Sequence, residues 1–393
     1  MPRVVFHAHA AVENLGDRVI VEATREALRA ALPGEALIFE DASPGKGSAR
    51  HLLAAPLTPD TRRALAESDL VLIGGGELVG PFPEYLATGA LAAAAGIPTV
   101  WLGVGGSVCG GRVDRLYTRL VLRCAEAVVT RGPHSFERLS AEAPGVRLYE
   151  GVDVSFCRPP PDGADVAASH EFGICLRGPE RRDRMWDRDA FARLAAEIDR
   201  LAERGLRPVF FTFLSDRDAA RIGSPNLDGT FRSDAEVHAL VRERLQSDGS
   251  EELVIEGDLA SAVRRLRGLR FLIGMRLHSL VLAAQCGVPF LALDYAPKIA
   301  ELTDVLGASE WRVRPEEIGA RIPALAARLL DPRERDERGR ALRSACDALR
   351  ARAKAQLAPV VAALRTPRAR GRRLARRAAA RMWERVAAMH AQL

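Results

Sequence analysis

Short apolar runs alternate with helical patterns through the first 150 residues. "RVVFHAHA" reads as a strand, "RVIVEATREALRAAL" as a helix stopped by Pro33-Gly34, and "EALIFE" as the next strand. "DLVLIGGG" is an apolar run into a glycine loop, "EYLATGALAAAAG" a small-residue helix, and "IPTVWLGVGG" a strand into a second glycine loop. "RLYTRLVLRCAE" is a helix, and "AVVTRGPHSFERLS" a strand, a turn and a helix. Nearly continuous apolar strands between amphipathic helices are the pattern of a parallel sheet covered on both faces.

The rhythm breaks at "CRPPPDGADVAASH", whose prolines, glycine and aspartate read as a linker. It resumes with "EFGICLRG", "DAFARLAAEIDRLAERG", "RPVFFTFLS", "AEVHALVRERLQ", "EELVIEG", "SAVRRLRG" and "FLIGMRLHSLVLAAQCGVPFLALDYAPKI". The expected fold is α/β, with two Rossmann-like domains and a helical C-terminal extension. The expected divisions are an N-terminal domain over 1–157, a linker over 158–170, a second domain over 171–312, helices over 313–365 and a tail over 366–393. "ALAAAAGIPTVWLGVG" and "LVLAAQCGVPFLALDY" share a plan of small-residue helix, Gly, Pro and apolar strand. That echo fits either kinship of the halves or the common shape of any α/β unit.

The 393 residues, 48% of them hydrophobic, suffice for two cores. No apolar run is long enough to span a bilayer, and "MPRVVFHAHA" does not read as a signal peptide. Six cysteines without a CxxC pair read as reduced, largely buried thiols of a cytoplasmic protein. The net charge of +6 is concentrated in "RTPRARGRRLARRAAARMWER", with nine arginines against one acid. The remainder is slightly acidic, so the basicity belongs to the tail. With Leu374, Met382, Trp383 and Val386 on one face, that tail reads as a peripheral contact with the inner face of an anionic membrane, or with a partner. Nucleic acid is not expected, because no nucleic-acid fold signature accompanies the charge.

Candidate chemistry gathers where strands end, since open α/β sheets bind ligands beyond their C-terminal strand ends. Gly274 ends a strand, and Arg276 and His278 follow at a helix start, whose open amides favour anions. Asp294, Tyr295 and Lys298 follow the next strand. Arg177 ends the first strand of the second domain. Arg131 follows a strand of the first, with Ser135 at a helix start. "ENLGD" carries Asn14 and Asp17 after the first strand, and "GGGELVG" carries Gly75 and Gly76. On the edge of Gly274 and Lys298, an ammonium, an imidazole and helix amides suit a phosphate or carboxylate. The plainer readings are that Arg276 pairs with a core acid, that His278 and Asp17 cap helices, and that the other arginines form surface ion pairs. No HExxH, Walker loop, GxSxG or Cys/His cluster is present, so no bound metal is expected.

Taken together, "ENLGD", "LIGGG", "VVTRGPHS", "GVDVSF", "ICLRG" and above all "GMRLHSLVLAAQCGVPFLALDYAPKI" resemble the polysaccharide pyruvyl transferase family over roughly residues 5–310. The resemblance implies a GT-B-like fold with two Rossmann-like domains facing a cleft. It implies transfer of pyruvate from phosphoenolpyruvate onto a sugar or lipid-linked glycan as a ketal, with release of phosphate and no cofactor. Carried onto matching positions, it implies that His278, Lys298 and an arginine, Arg131 or Arg177, bind the donor or act in catalysis. Asn14, Asp17, Gly75, Gly76, Arg131, Ser135, Arg276, Ser279 and Tyr295 are then the expected substrate contacts. Two departures stand out: Glu13 replaces a glycine before the Asn, and Gly132 replaces an acid after the Arg. The alternatives are a GT-B glycosyltransferase using a nucleotide sugar and a non-catalytic protein that keeps the fold.

Overall fold

The structure is a computed structural model, and it describes residues 2–8, 15–41, 59–80, 83–161, 169–178, 186–214, 233–247, 249–255 and 259–366. Its contacts divide the chain into two units. The first holds residues 1–11, 19–158 and 351–393; the second holds 12–18 and 159–350.

The first unit is built on β1 (Arg3–His7), β2 (Ile38–Asp41), β3 (Leu70–Val79), β4 (Thr99–Gly106), β5 (Ala127–Thr130) and β6 (Leu148–Tyr149). These pair in the order β2-β1-β3-β4-β5-β6, every pair parallel. The connecting helices are α1 (Leu15–Ala31), α2 (Pro59–Glu67), α3 (Pro83–Ala94), α4 (Arg112–Arg123) and α5 (Pro133–Glu142). Leu70, Val71, Leu72 and Ile73 are all sealed, because both faces of the sheet are covered. The apolar core gathers Ile73, Leu86, Trp101, Val121 and Val128 from strands and helices alike.

The second unit holds β7 (Glu171–Cys175), β8 (Arg207–Thr212), β9 (Glu251–Val254), β10 (Leu272–Gly274), β11 (Phe290–Leu293) and β12 (Arg312–Val313). Its order is β12-β11-β10-β7-β8-β9, again wholly parallel. The helices are α6 (Arg188–Glu203), α7 (Asp234–Arg242), α8 (Leu259–Arg267), α9 (Leu277–Cys286), α10 (Pro297–Val305) and α11 (Ile318–Leu330). Two more follow among the described residues: α12 (Pro332–Ala355), which runs from the second unit's residues into the first's, and α13 (Ala358–Arg365). In this order the winding reverses between β7 and β10, and the crevice beyond such a switch point is where doubly wound sheets bind ligands. Here those strand ends lead into Arg177 and Arg276.

The echo noted in the sequence corresponds to α3–β4 and α9–β11. The strand orders of the two sheets differ, so the halves share a plan rather than a topology. The two glycine stretches are not loops. Both stay within β3 and β4, which continue to Val79 and Gly106 through register shifts between Gly76 and Val79 and between Leu102 and Val104. Bulges let a strand absorb glycines without ending.

Candidate functional site

Three side chains meet at the strand ends of the second unit. The Arg177 guanidinium donates to the Tyr295 hydroxyl at 3.0 Å. It also lies 4.8 Å from that ring's centre, and the Lys298 ammonium lies 5.2 Å from it. Arg177 leaves β7 and is 8% exposed, Tyr295 leaves β11, and Lys298 sits in the first turn of α10. Burial alone would raise the phenol's pKa. The charges of Arg177 and Lys298 outweigh it and hold Tyr295 below its usual value. Asp294, beside it, moves the other way, because burial outweighs the arginines nearby.

Between β7 and β11 lies β10, which opens into α9. Arg276 is the N-cap residue of that helix, and its side chain turns into the protein. Its Nε donates to both oxygens of Asp234 (3.0 and 3.1 Å), and its Nη2 reaches Asp234 Oδ1. Asp234 is fully buried and also accepts the amides of Phe213 and Leu214 at 3.1 and 3.0 Å. Arg276 thus pairs with a core acid, as the plainer reading held. Ser279 is likewise turned inward, its hydroxyl donating to the Arg276 carbonyl at 2.7 Å.

His278, one residue past Leu277 in the first turn of α9, packs against Gly16. A Cβ built on Gly16 would lie 2.2 Å from His278 Nδ1, so no larger residue fits there. The glycine of "ENLGD" therefore makes room for the imidazole. Residues 12–18 group with the second unit, where the Leu15 amide donates to the Phe213 carbonyl at 3.3 Å. Asp17 stands partly buried in the first turn of α1. Asn14 lies outside the described residues, as do most of the linker and the tail from 367 onward.

Sequence reasoning passed over the helix that supports this edge. One turn along α7 from Asp234 is His238, fully buried. Its Nε2 accepts the Leu176 amide at 3.1 Å, so the ring proton belongs on Nδ1. Nδ1 faces Thr212 Oγ1 (3.2 Å) and Glu252 Oε1 (3.4 Å). The hydrogen bond from His238, against the opposing effect of burial, keeps the Glu252 carboxyl below its usual range. Through i and i+4 positions, α7 holds Arg276 with one side chain and the backbone just before Arg177 with the other. An acid and a histidine four apart were visible in "DAEVH"; their partners, 42 and 62 residues away, were not.

The first unit has its own polar edge. Arg131 follows β5 and lies over Gly105, where a Cβ would come within 2.7 Å of its Nε. Its Nη2 is 3.8 Å from Glu77, at the end of β3. Ser135 is buried in the first turn of α5, whose N-cap is Gly132, without a side-chain cap. Gly75 adopts φ +74°, and a Cβ there would strike Ile20 of α1 at 2.0 Å. Helix packing and a positive φ both call for glycine there. Gly76 has φ +124° and shares the bulge. Asp153, of "GVDVSF", accepts the amide and hydroxyl of Ser155 at 2.9 and 2.6 Å. A cavity of about 950 Å³ lies elsewhere in this unit, lined by Tyr149, Arg352 and Gln356 and by Pro98 and Glu126. Pro98 and Glu126 precede β4 and β5 while Glu150 and Gly151 follow β6, so it runs along the β6 side of the sheet rather than over the switch point where this fold class binds ligands.

Two wholly parallel six-stranded sheets wound with helices, with a cationic edge at the second one's switch point, define a GT-B-like α/β fold. Solved structures agree on the fold. The Anabaena protein HepE in complex with UDP and glucose superposes with a TM-score of 0.60 at 11% identity, over 92% of this chain and 100% of that one. S. aureus MnaA with UDP gives 0.54 at 12%, over 87% and 91%. A glycosyltransferase from Rickettsia africae gives 0.54 at 10%, over 91% and 98%. No curated relative matches. The family model for polysaccharide pyruvyl transferase matches residues 14–297, and the chain belongs to that family.

Proposed function

We propose that the protein transfers the pyruvyl group of phosphoenolpyruvate to two hydroxyls of a sugar or a lipid-linked glycan, forming a cyclic ketal and releasing phosphate. The observation that carries this reading is the grouping of Arg177, Tyr295 and Lys298 at the strand ends beside the switch point, with His278 on the helix between them. Phosphoenolpyruvate bears a phosphate and a carboxylate, and so needs several cations and open helix amides. Neither α9 nor α10 is closed by a side-chain cap.

In the reaction, a general acid gives a proton to the methylene carbon and leaves C2 cationic. An acceptor hydroxyl attacks C2 and loses its proton to a base. Phosphate leaves with the C2–O bond pair, and a second hydroxyl closes the ketal and loses its own proton. No oxidant, metal or cofactor enters the balance. Lys298 and Arg177 neutralise donor charge, with Tyr295 fixing their spacing. His278 moves a proton or grips phosphate. Arg276, already matched by Asp234, shapes the turn rather than the donor site.

The test is calorimetric titration with phosphoenolpyruvate beside a panel of nucleotide sugars. Saturable phosphoenolpyruvate binding, weakened at least about tenfold in Lys298→Ala by loss of a desolvated charge contact, is expected. Phosphate release with an acceptor should fall by about 10²-fold or more in His278→Ala. Full turnover in His278→Ala would sink its assignment. Binding of a nucleotide sugar alone would favour glycosyl transfer, the activity named for one of the similar structures.

A further inference from the structure

Five large hydrophobic side chains stand exposed among the described residues, and three of them lie on α4: Val113 at 78%, Leu116 at 58% and Leu120 at 49%. Their spacing of three and four places them on one face of the helix, while Thr118, Val121 and Leu122 bury the opposite face. The flank beside the exposed ridge carries Arg112, Arg115, Arg119 and Arg123, at steps of three and four along the same side. Arg119 and Arg123 donate to the carbonyls of Glu142 and Pro144, which anchors them without cancelling their charge. The helix's single acid, Asp114, is turned to its own N-terminus and accepts the Gly111 amide at 2.9 Å. A contiguous apolar ridge rimmed by cations is not an ordinary solvated surface.

We infer that α4 is a membrane-docking helix that lays Val113, Leu116 and Leu120 among the acyl chains of an anionic bilayer, with its arginines at the phosphate headgroups. A second copy of this chain fits less well. A two-fold contact that runs the two helices antiparallel would set each row of arginines against the other copy's row. A convex ridge also suits a fluid surface that yields around it, whereas a rigid partner would need a matching groove. The helix follows β4 directly, so its N-terminal end lies at the same edge of the first unit as Arg131. Docking would bring that edge to the surface where a lipid-linked acceptor resides. This part of the argument rests on the proposed function; the membrane contact itself does not.

The test is co-sedimentation of the full-length protein with vesicles of phosphatidylcholine containing phosphatidylglycerol, and with phosphatidylcholine alone. Variants are L116N/L120N and R112Q/R115Q, each also made in a chain lacking residues 367–393 so that the basic tail is scored separately. The wild type should bind the anionic vesicles. Each double variant should bind them at least about tenfold more weakly, since one arginine near such a surface contributes about fivefold and a buried aliphatic about tenfold. Thermal unfolding should not change, because all four positions are exposed. Failure of the wild type to bind, or equal binding by the variants, would overturn the inference. So would a change of oligomeric state in L116N/L120N without a change in vesicle binding, which would assign the ridge to a second copy. None of these outcomes bears on phosphoenolpyruvate binding, so the two readings stand or fall separately.

Discussion

Tyr295 sits at a balance of opposing effects. Burial favours the neutral phenol, and two neighbouring cations favour the phenolate and prevail. Tyr117 has burial without such partners, and its pKa is pushed up to about 12. A spectrophotometric titration should therefore contain one phase from Tyr295, below the normal range of about 10, and a late one from Tyr117. Tyr295→Phe should delete the low phase; if that phase persists, the cation pair does not act as described. The sign for stability follows. A depressed folded pKa means that this contribution is complete above the unfolded pKa and is lost as pH falls through the folded one. At this scale the sequence was partly legible. "LDYAPK" showed that Tyr295 and Lys298 follow a strand, because strand ends can be read from where apolar runs stop. That Gly16 serves His278 could not be read, since its neighbour is 262 positions away and a glycine in "ENLGD" looks like a turn residue.

Among the elements, α7 does the most to fix the site while touching none of the proposed substrate. Asp234 and His238 fasten the backbone after β8 and β7 and the guanidinium after β10. Asp234→Ala would leave the Arg276 charge, and two inward-facing amides, without their acceptor. We expect a loss of about 3 kcal/mol or more in unfolding free energy, measured by urea denaturation. A change under about 1 kcal/mol would mean that water replaces the carboxylate there. Strands and helices were mostly legible because parallel strands covered on both faces give unbroken apolar runs. The glycine-rich ends of β3 and β4 were misjudged as loops, because a bulge that keeps glycines in a strand depends on the neighbouring strand, not on local composition.

In the whole molecule, the first unit takes its last pieces from the far end of the chain. Gln356 Oε1 accepts the Val152 amide at 2.8 Å, and Cys157 Sγ contacts the Ala353 carbonyl at 3.2 Å. Gly151 is free of a Cβ where Gln356 Oε1 would meet one at 2.4 Å, and Arg352 pairs with Glu150 at 2.8 Å. A chain ending at Arg350 loses these contacts and the burial of Ala353, Leu357 and Val360. Compared with a chain ending at Thr366, it should unfold several degrees lower, because one unsatisfied buried amide already costs about 1–3 kcal/mol. Equal unfolding temperatures would show that the first unit closes without this segment. The sequence showed helices after residue 312 but not which core they serve, since an amphipathic pattern does not name its partner.

That return has a consequence for biosynthesis. A ribosome emits the first unit's sheet early, then the long second-unit stretch 159–350, and only afterwards the segment that caps Val152 and shields Cys157. The part translated first is therefore completed last. Through nearly two hundred further codons the nascent chain carries an unfinished edge, and emergence of residues 351–366, rather than of the sheet itself, sets when that edge is sealed.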